Sequence, residues 1–97
     1  MTIKFADTIG DMFSDLASRR IVAEYNQLVI RIEKLEQYID TLTSEYSEEY
    51  IVLMRQLYCM ISYREALVAH INYMNKQRQY KGQFKFLESG CVTLKTR

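Results

Sequence analysis

The sequence predicts an all-α fold: an antiparallel two-helix hairpin with a short N-terminal helix, assembled into an oligomeric helical bundle and followed by a small C-terminal extension. Three observations predict it. Apolar residues recur at alternating spacings of three and four over two long segments, a short polar stretch separates those segments, and the 97 residues include no proline. A chain of this length forms a single small domain, residues 1–97, which excludes a large enzyme. The composition, 48% hydrophobic and 26% charged, excludes a disordered chain.

The first predicted element is a short helix over residues 3–17. Its apolar residues recur every three or four positions, with acidic residues on the opposite face. The apolar residues are Phe5, Ile9, Met12, Phe13 and Leu16. Gly10 weakens the helix, and a helix this short is marginal alone. Its apolar face is therefore expected to dock against the rest of the protein.

The second predicted element is a long helix over residues 18–42, which carries three unbroken heptads. The heptad residues are Ile21, Tyr25, Leu28, Ile32, Leu35, Ile39 and Leu42. Val22 and Val29 add a second row, so the apolar face is wider than a two-stranded coiled-coil seam and favours a bundle. The period then stops, and Ser47 followed by Glu48 and Glu49 indicates the N-cap of another helix after a turn.

The third predicted element is a long helix over residues 47–78, with one charged residue on its apolar stripe. The stripe comprises Leu53, Leu57, Met60, Leu67, Ile71 and Met74. Arg64 occupies the heptad position at which the pattern requires an apolar residue. Because a short turn joins the two long helices, they are expected to pack as an antiparallel hairpin. One short helix is too small to cover both wide faces of this hairpin, so we expect a homo-oligomer.

Residues 79–97 are predicted to form a basic extension. Residues 1–74 carry seven basic and eleven acidic side chains, a net charge of −4, whereas residues 75–97 carry six basic and one acidic, a net charge of +5. Apolar and polar residues alternate on both sides of Gly90, which predicts a small β-hairpin or a flexible extension. The basic charge also allows contact with nucleic acid.

The sequence offers little for catalysis. His70 is the single histidine, and no cysteine lies at metal-ligand spacing from it. Cys59 and Cys91 have no disulfide spacing and indicate a reducing compartment. No glycine-rich phosphate loop occurs, and no apolar run is long enough to span a membrane. We therefore expect no catalytic residue, metal, cofactor or membrane contact.

Arginines and tyrosines are the better candidates for binding. Arg19 and Arg20 begin the heptad helix, where free backbone N–H groups and guanidinium groups would together hold a phosphate. Arg64 on the inward stripe requires an anion, a carboxylate or a solvated cavity. Tyr25 and Tyr63 would supply rings that stack on bases, although packing at an interface explains such tyrosines equally well.

The run R-I-V-A-E-Y-N-Q-L-V-I-R-I-E-K-L at residues 20–35, followed by Gln56, Leu57, Met60 and Tyr63, resembles a family of small helical-hairpin proteins of crAss-like and other tailed phages. That family includes the anti-CBASS sponge proteins, and the likeness covers about residues 18–72. It implies a hexamer in the host bacterial cytoplasm. The hexamer would bind cyclic di- or trinucleotides, or cyclic ADP-ribose-type immune signals, and sequester them without cleavage.

By position, the resemblance gives Arg19 and Arg20 a basic role, and His70 stands where the family often has arginine. The predicted ligand-binding residues are Arg19, Arg20, Tyr25, Tyr63, Arg64 and His70. Related anti-Thoeris sponges add β structure after their hairpin, which fits the alternation after residue 80. Two other functions remain open: a helical-hairpin scaffold that binds only protein, and a small nucleic-acid-binding or inhibitor protein that acts through its basic extension.

Overall fold

A computed structural model of the chain shows two long helices followed by a small β-hairpin. The structure describes residues 3–45, 47–77, 80 and 82–95. Helix α1 spans Ile3–Asp40 and helix α2 spans Glu48–Lys76. Strand β1 spans Phe84–Phe86, and strand β2 spans Val92–Leu94. The predicted helical hairpin is confirmed, and the alternation after residue 80 corresponds to a β-hairpin rather than to a flexible extension.

Helix α1 is continuous, which corrects the predicted division into a helix over 3–17 and another over 18–42. A helix ends where a proline or a C-capping glycine stops it, and the sequence has neither between residues 17 and 20. Gly10 costs only about 1 kcal/mol relative to alanine inside a helix, so it does not end α1. The predicted docking of the apolar side chains at residues 5–13 lies outside the described side chains.

Helix α2 begins with the N-cap that the sequence indicates. The hydroxyl oxygen of Ser47 accepts a hydrogen bond from the backbone N–H of Tyr50 at 3.1 Å. Glu48 and Glu49 occupy the first turn, where the helix dipole favours negative charge. The hydroxyl of Tyr38, near the end of α1, donates a hydrogen bond to the carboxylate of Glu49. The turn therefore holds the two helices in an antiparallel pair.

The core lies along the seam between the two helices. Its buried helical residues are Ile21, Tyr25, Leu28, Ile32, Ile39, Leu57, Leu67, Ile71 and Met74. All of them belong to the two apolar stripes that the spacing predicts. Ile32 and Ile71 are 1% and 0% exposed, and each contributes about 1.5–3 kcal/mol by leaving water. In the described part of the chain, no helix has the length and apolarity needed to cross a membrane.

The β-hairpin packs against the helix pair through one apolar side. Phe84 and Val92 are buried, and they lie opposite Leu94 and Phe86 in the antiparallel register. The ring of Phe86 meets the ring of Tyr25 edge-on, with a centroid distance of 5.8 Å. A two-stranded hairpin is marginal by itself, so this packing is what stabilises it.

Two asparagine carboxamides fix the strands to the helices. In α2, Asn75 donates from Nδ2 to the carbonyl oxygen of Phe84 at 3.1 Å, and its Oδ1 accepts from the N–H of Phe84 at 2.9 Å. In α1, Asn26 forms the same pair of bonds with Val92, at 2.9 and 2.7 Å. Each carboxamide takes the place of a neighbouring strand for one residue, which satisfies backbone groups that the two-stranded sheet leaves unpaired.

Asn75→Ala is expected to loosen the β-hairpin without unfolding the helix pair. Losing both hydrogen bonds should cost about 1–3 kcal/mol, and the amide hydrogens of residues 84–86 should exchange faster. Hydrogen exchange followed by mass spectrometry measures this. The matched control is Asn72→Ala, because Asn72 is exposed on the same helix. Equal exchange rates in the two variants would show that the carboxamide of Asn75 does not hold the strand.

Candidate functional site

The candidate site is a groove between α1 and α2. Two adjoining cavities form it, one of about 490 Å³ and one of about 640 Å³. Glu24 of α1 and Tyr63 of α2 line both cavities and mark where they meet. We call the smaller one the Arg20 cavity and the larger one the Arg31 cavity, each after an arginine in its wall.

The Arg20 cavity brings together three of the six predicted ligand-binding residues. Arg20 and Glu24 line it from α1, and Tyr63 and His70 line it from α2, over an apolar floor that includes Leu67. Residues four apart share one face of a helix, as do residues seven apart, which explains why these side chains converge. The cavity therefore combines a cation, a histidine and an aromatic ring in one recess.

The Arg31 cavity holds two cations that the predicted set omits. Arg31 and Lys34 line it, together with Gln27 on the same helix and Gln56 and Tyr63 across the groove. Both cations are exposed to solvent at the groove surface. Guanidinium and ammonium groups three residues apart can bind one anion together, and amide side chains add hydrogen-bond donors. The cavity is thus suited to an anion attached to a polar organic group.

The signal for this cavity is present in the sequence. Arg20, Glu24, Gln27, Arg31 and Lys34 follow one another at spacings of four, three, four and three. They form a polar stripe beside the apolar heptad stripe, and all five line the groove. A search for heptad periodicity among polar residues would have found them. Together they carry three positive charges and one negative charge.

Tyr63 and Glu24 are joined by a hydrogen bond across the groove. The phenolic hydroxyl of Tyr63 donates to Oε1 of Glu24. This hydrogen bond, followed by desolvation and the negative charge of Glu24, raises the pKa of Tyr63 above its ordinary value of 10.0. Tyr63 is 46% exposed, so its side chain is accessible from the groove although its hydroxyl donates to Glu24.

The Tyr63 hydroxyl should therefore titrate above pH 10.0, and Glu24→Gln should lower its midpoint. Because the pKa of Tyr63 is raised in the folded protein, its hydrogen bond to Glu24 contributes fully to stability at any pH below the pKa of Tyr63 in the unfolded chain. This contribution is lost as the pH rises through the pKa of Tyr63 in the folded protein. Nuclear magnetic resonance titration of the tyrosine ring carbons measures the midpoint. An identical midpoint in the wild-type protein and the Glu24→Gln variant would contradict the assigned cause.

Arg64 and Tyr25 lie apart from the groove. Together with Glu33, Glu36 and Gly90 they line a third cavity, of about 370 Å³. Adjacent residues point about 100° apart around a helix, so Tyr63 and Arg64 line different cavities. The sequence predicts that Arg64 needs an anion, a carboxylate or a solvated cavity. The structure places it in the wall of a cavity that two carboxylates, those of Glu33 and Glu36, also line. Tyr25 is only 5% exposed and packs against the β-hairpin, which makes its ring part of the core.

The remaining predicted binding groups lie outside the three cavities described above. Arg19 is exposed and does not line them. In the basic extension, Lys85 and Lys95 are exposed, whereas Arg78, Lys81 and Arg97 lie outside the described residues. Cys59 and Cys91 are both free thiols. Among the residues that the structure describes, no group of three or more histidine, cysteine, aspartate or glutamate side chains is arranged to hold a metal ion.

The chain matches a known protein family. A family model described as Sequestin matches residues 17–73, more than half of the 97 residues. The matched segment contains all five residues of the polar stripe and ends before the β-hairpin. No curated protein and no solved structure matches the chain.

Proposed function

The chain belongs to the Sequestin family, and we propose that it binds a cyclic oligonucleotide signal and sequesters it without cleaving it. The family name indicates sequestration of a ligand, which is a binding role rather than a catalytic one. The observation that supports this ligand class is the groove, where Arg31, Lys34 and the exposed Tyr63 line one cavity. Phosphodiester groups bind cations and nucleobases stack on aromatic rings, and the groove supplies both.

The size and charge of the groove suit such a ligand. Small-molecule sites commonly enclose about 300–1,000 Å³, and each cavity lies within that range. Among the described residues that line the groove, Arg20, Arg31 and Lys34 outnumber the carboxylate of Glu24, which leaves a surplus of two positive charges. A cyclic dinucleotide carries two phosphodiester charges and would neutralise this surplus. Cyclic ADP-ribose-type molecules have the same combination of phosphates and a base.

A second copy of the chain would complete the groove. Val52, Cys59, Ala66 and Tyr73 recur every seven residues on α2, and all four are exposed. Ala66 and Tyr73 also line the Arg20 cavity, so this stripe borders the groove. A heptad stripe left uncovered on a single chain is typical of a helix that packs against a partner. We therefore propose a homo-oligomer with its ligands held near subunit contacts, and a hexamer follows from the resemblance to phage sponge proteins.

The same resemblance suggests where the protein acts. A phage-encoded protein that removes cyclic nucleotides from the host bacterial cytoplasm would prevent defence systems of the CBASS or Thoeris type from activating their effectors. Stoichiometric binding suffices for this effect, because a signal held in the groove is unavailable to its receptor. The proposed role requires tight binding and slow release rather than turnover.

Native mass spectrometry tests the proposed function. The purified protein is measured alone and with a panel of cyclic di- and trinucleotides and cyclic ADP-ribose isomers. We expect a closed oligomer that gains a fixed number of molecules of at least one ligand. A protein that gains none of them would overturn the ligand class. A monomer that binds a ligand would overturn only the proposal that a second copy of the chain completes the groove.

A scaffold that binds only protein is the second candidate function. The exposed apolar side chains favour it, since Ile51, Val52 and Tyr58 are 53%, 56% and 63% exposed in the first half of α2. Apolar surface of this kind is typical of protein contacts. A scaffold would form the oligomer and bind no small molecule, so the same mass spectra distinguish it from a sponge.

A further inference from the structure

Part of the wall of the Arg20 cavity is formed by residues that follow α2. Gln77 and Tyr80 line this cavity, and both come after Lys76, the last residue of α2. They also lie beyond residues 17–73, the segment that the family model matches. The other described residues in the cavity wall belong to α1 and α2. The groove therefore depends in part on the connection from the helix pair to the β-hairpin.

Tyr80 is held in this wall by its backbone and by its ring. The backbone N–H groups of Gln77, Tyr80 and Gln83 each donate to the carbonyl oxygen three residues earlier, at 3.0, 3.1 and 3.0 Å, which gives three successive turns. The Tyr80 side chain is 6% exposed, and its ring centroid lies 6.1 Å from that of Phe84, the first residue of β1. One tyrosine therefore lines the cavity and packs against the β-hairpin.

The position of Phe84 depends in turn on the docking of the β-hairpin. The carboxamide of Asn75 bonds both backbone groups of Phe84, and that of Asn26 bonds both backbone groups of Val92. A two-stranded hairpin is marginal alone, so these bonds and the burial of Phe84 and Val92 decide whether it stays docked. Undocking would remove the support of the Tyr80 ring.

Resting on the proposed function, we propose that the β-hairpin is part of the ligand site, because its docking holds Tyr80 in the wall of the Arg20 cavity. A cyclic oligonucleotide that contacts this wall binds the docked form more tightly than the undocked form. The two equilibria are then linked, so docking strengthens binding and a bound ligand strengthens docking by the same factor, commonly about 5- to 150-fold. Tyr80 is a positioning residue in this account, since its ring is buried too deeply for a base to stack on it.

Hydrogen exchange followed by mass spectrometry measures the effect of a ligand on the β-hairpin. None of residues 84–94 lines the groove, and the turn residues Ser89 and Gly90 line the third cavity instead. A molecule in the groove therefore does not cover the strands, and slower exchange there reports tighter docking. The probes are cyclic di-AMP, cyclic di-GMP, cyclic tri-AMP and the cyclic ADP-ribose isomers. We expect a probe that binds the wild-type protein to slow the exchange of amides in residues 84–94 about fivefold or more.

Isothermal titration calorimetry with the same probes measures the reverse effect. Asn26→Ala/Asn75→Ala removes the four carboxamide bonds without altering a residue that lines the groove. We expect this variant to weaken binding about fivefold or more, and Tyr80→Ala to do the same. Tyr80→Phe keeps the ring and should recover most of the affinity that Tyr80→Ala loses. The matched control is Asn72→Ala, which is exposed and outside the groove wall and should bind within about twofold of the wild type.

The outcomes separate this inference from the proposed function. A probe that binds but leaves the exchange of residues 84–94 unchanged would overturn the role of the β-hairpin and leave the proposed function intact. Unchanged affinity in Asn26→Ala/Asn75→Ala would do the same. Binding of none of the probes, by wild-type protein whose circular dichroism shows that it is folded, would overturn the role of the β-hairpin and the proposed function together.

Discussion

Ile32→Ala is expected to lower the free energy of unfolding by about 2–5 kcal/mol, because it opens a cavity at the seam between the two helices. Ile32 is 1% exposed and lies in the middle of the α1 apolar stripe. A small domain has roughly 5–15 kcal/mol of stability in total, so this loss is a large share of it. Urea unfolding followed by far-ultraviolet circular dichroism measures the change.

Ile30→Ala is the matched control for this variant. It is the same substitution two residues away on the same helix, at a side chain that is 45% exposed. We expect it to change the free energy of unfolding by about 1 kcal/mol or less. Equal losses in the two variants would mean that α1 does not present the Ile32 face to α2, and the position of the groove would then be wrong as well.

The double variant Arg31→Ala/Lys34→Ala is expected to weaken ligand binding by about a hundredfold or more. Each charge-assisted hydrogen bond to a phosphate contributes roughly 1.5–3 kcal/mol, and the variant removes both cations of the Arg31 cavity. Calorimetric titration with the ligand found by native mass spectrometry measures the loss. The fold should persist, because both side chains are exposed.

Two other arginines serve as controls for the double variant. Arg55→Ala removes a cation that is exposed on α2 and does not line the groove. Arg64→Ala removes the cation of the third cavity. Neither substitution should change the ligand affinity appreciably. If Arg64→Ala abolished binding while Arg31→Ala/Lys34→Ala left it intact, the ligand would occupy the third cavity and the assigned groove would be wrong.

Apolar periodicity was sufficient to predict the helices and the core. The heptad stripes containing Ile32 and Ile71 correspond to the buried seam, and Ser47 caps α2 as its position indicates. The helix boundary predicted after residue 17 does not exist, because α1 continues through it. A change of pattern along a helix changes what the helix contacts, but it does not end the helix unless a residue also disrupts the backbone.

The candidate site was harder to predict because it depends on both helices at once. Arg20 of α1 and Tyr63 and His70 of α2 line one cavity, whereas Arg64, which its heptad position placed on the inward stripe of α2, lines another. The polar stripe that includes Arg31 has the same heptad spacing, but the pattern of apolar residues alone does not reveal it. The carboxamide bonds of Asn26 and Asn75 had no sequence signal, since they exist only once the β-hairpin has docked.

Recovery of intact ligand from the protein is the most direct test that the groove sequesters a cyclic oligonucleotide. The protein is incubated with the ligand, separated from unbound ligand by gel filtration and denatured by heat, and the released nucleotide is identified and counted by mass spectrometry. We predict that the unaltered cyclic molecule is released at a fixed ratio to the protein, and that Arg31→Ala/Lys34→Ala releases little. Release of a linear or hydrolysed product, or of no nucleotide at all, would contradict sequestration without cleavage.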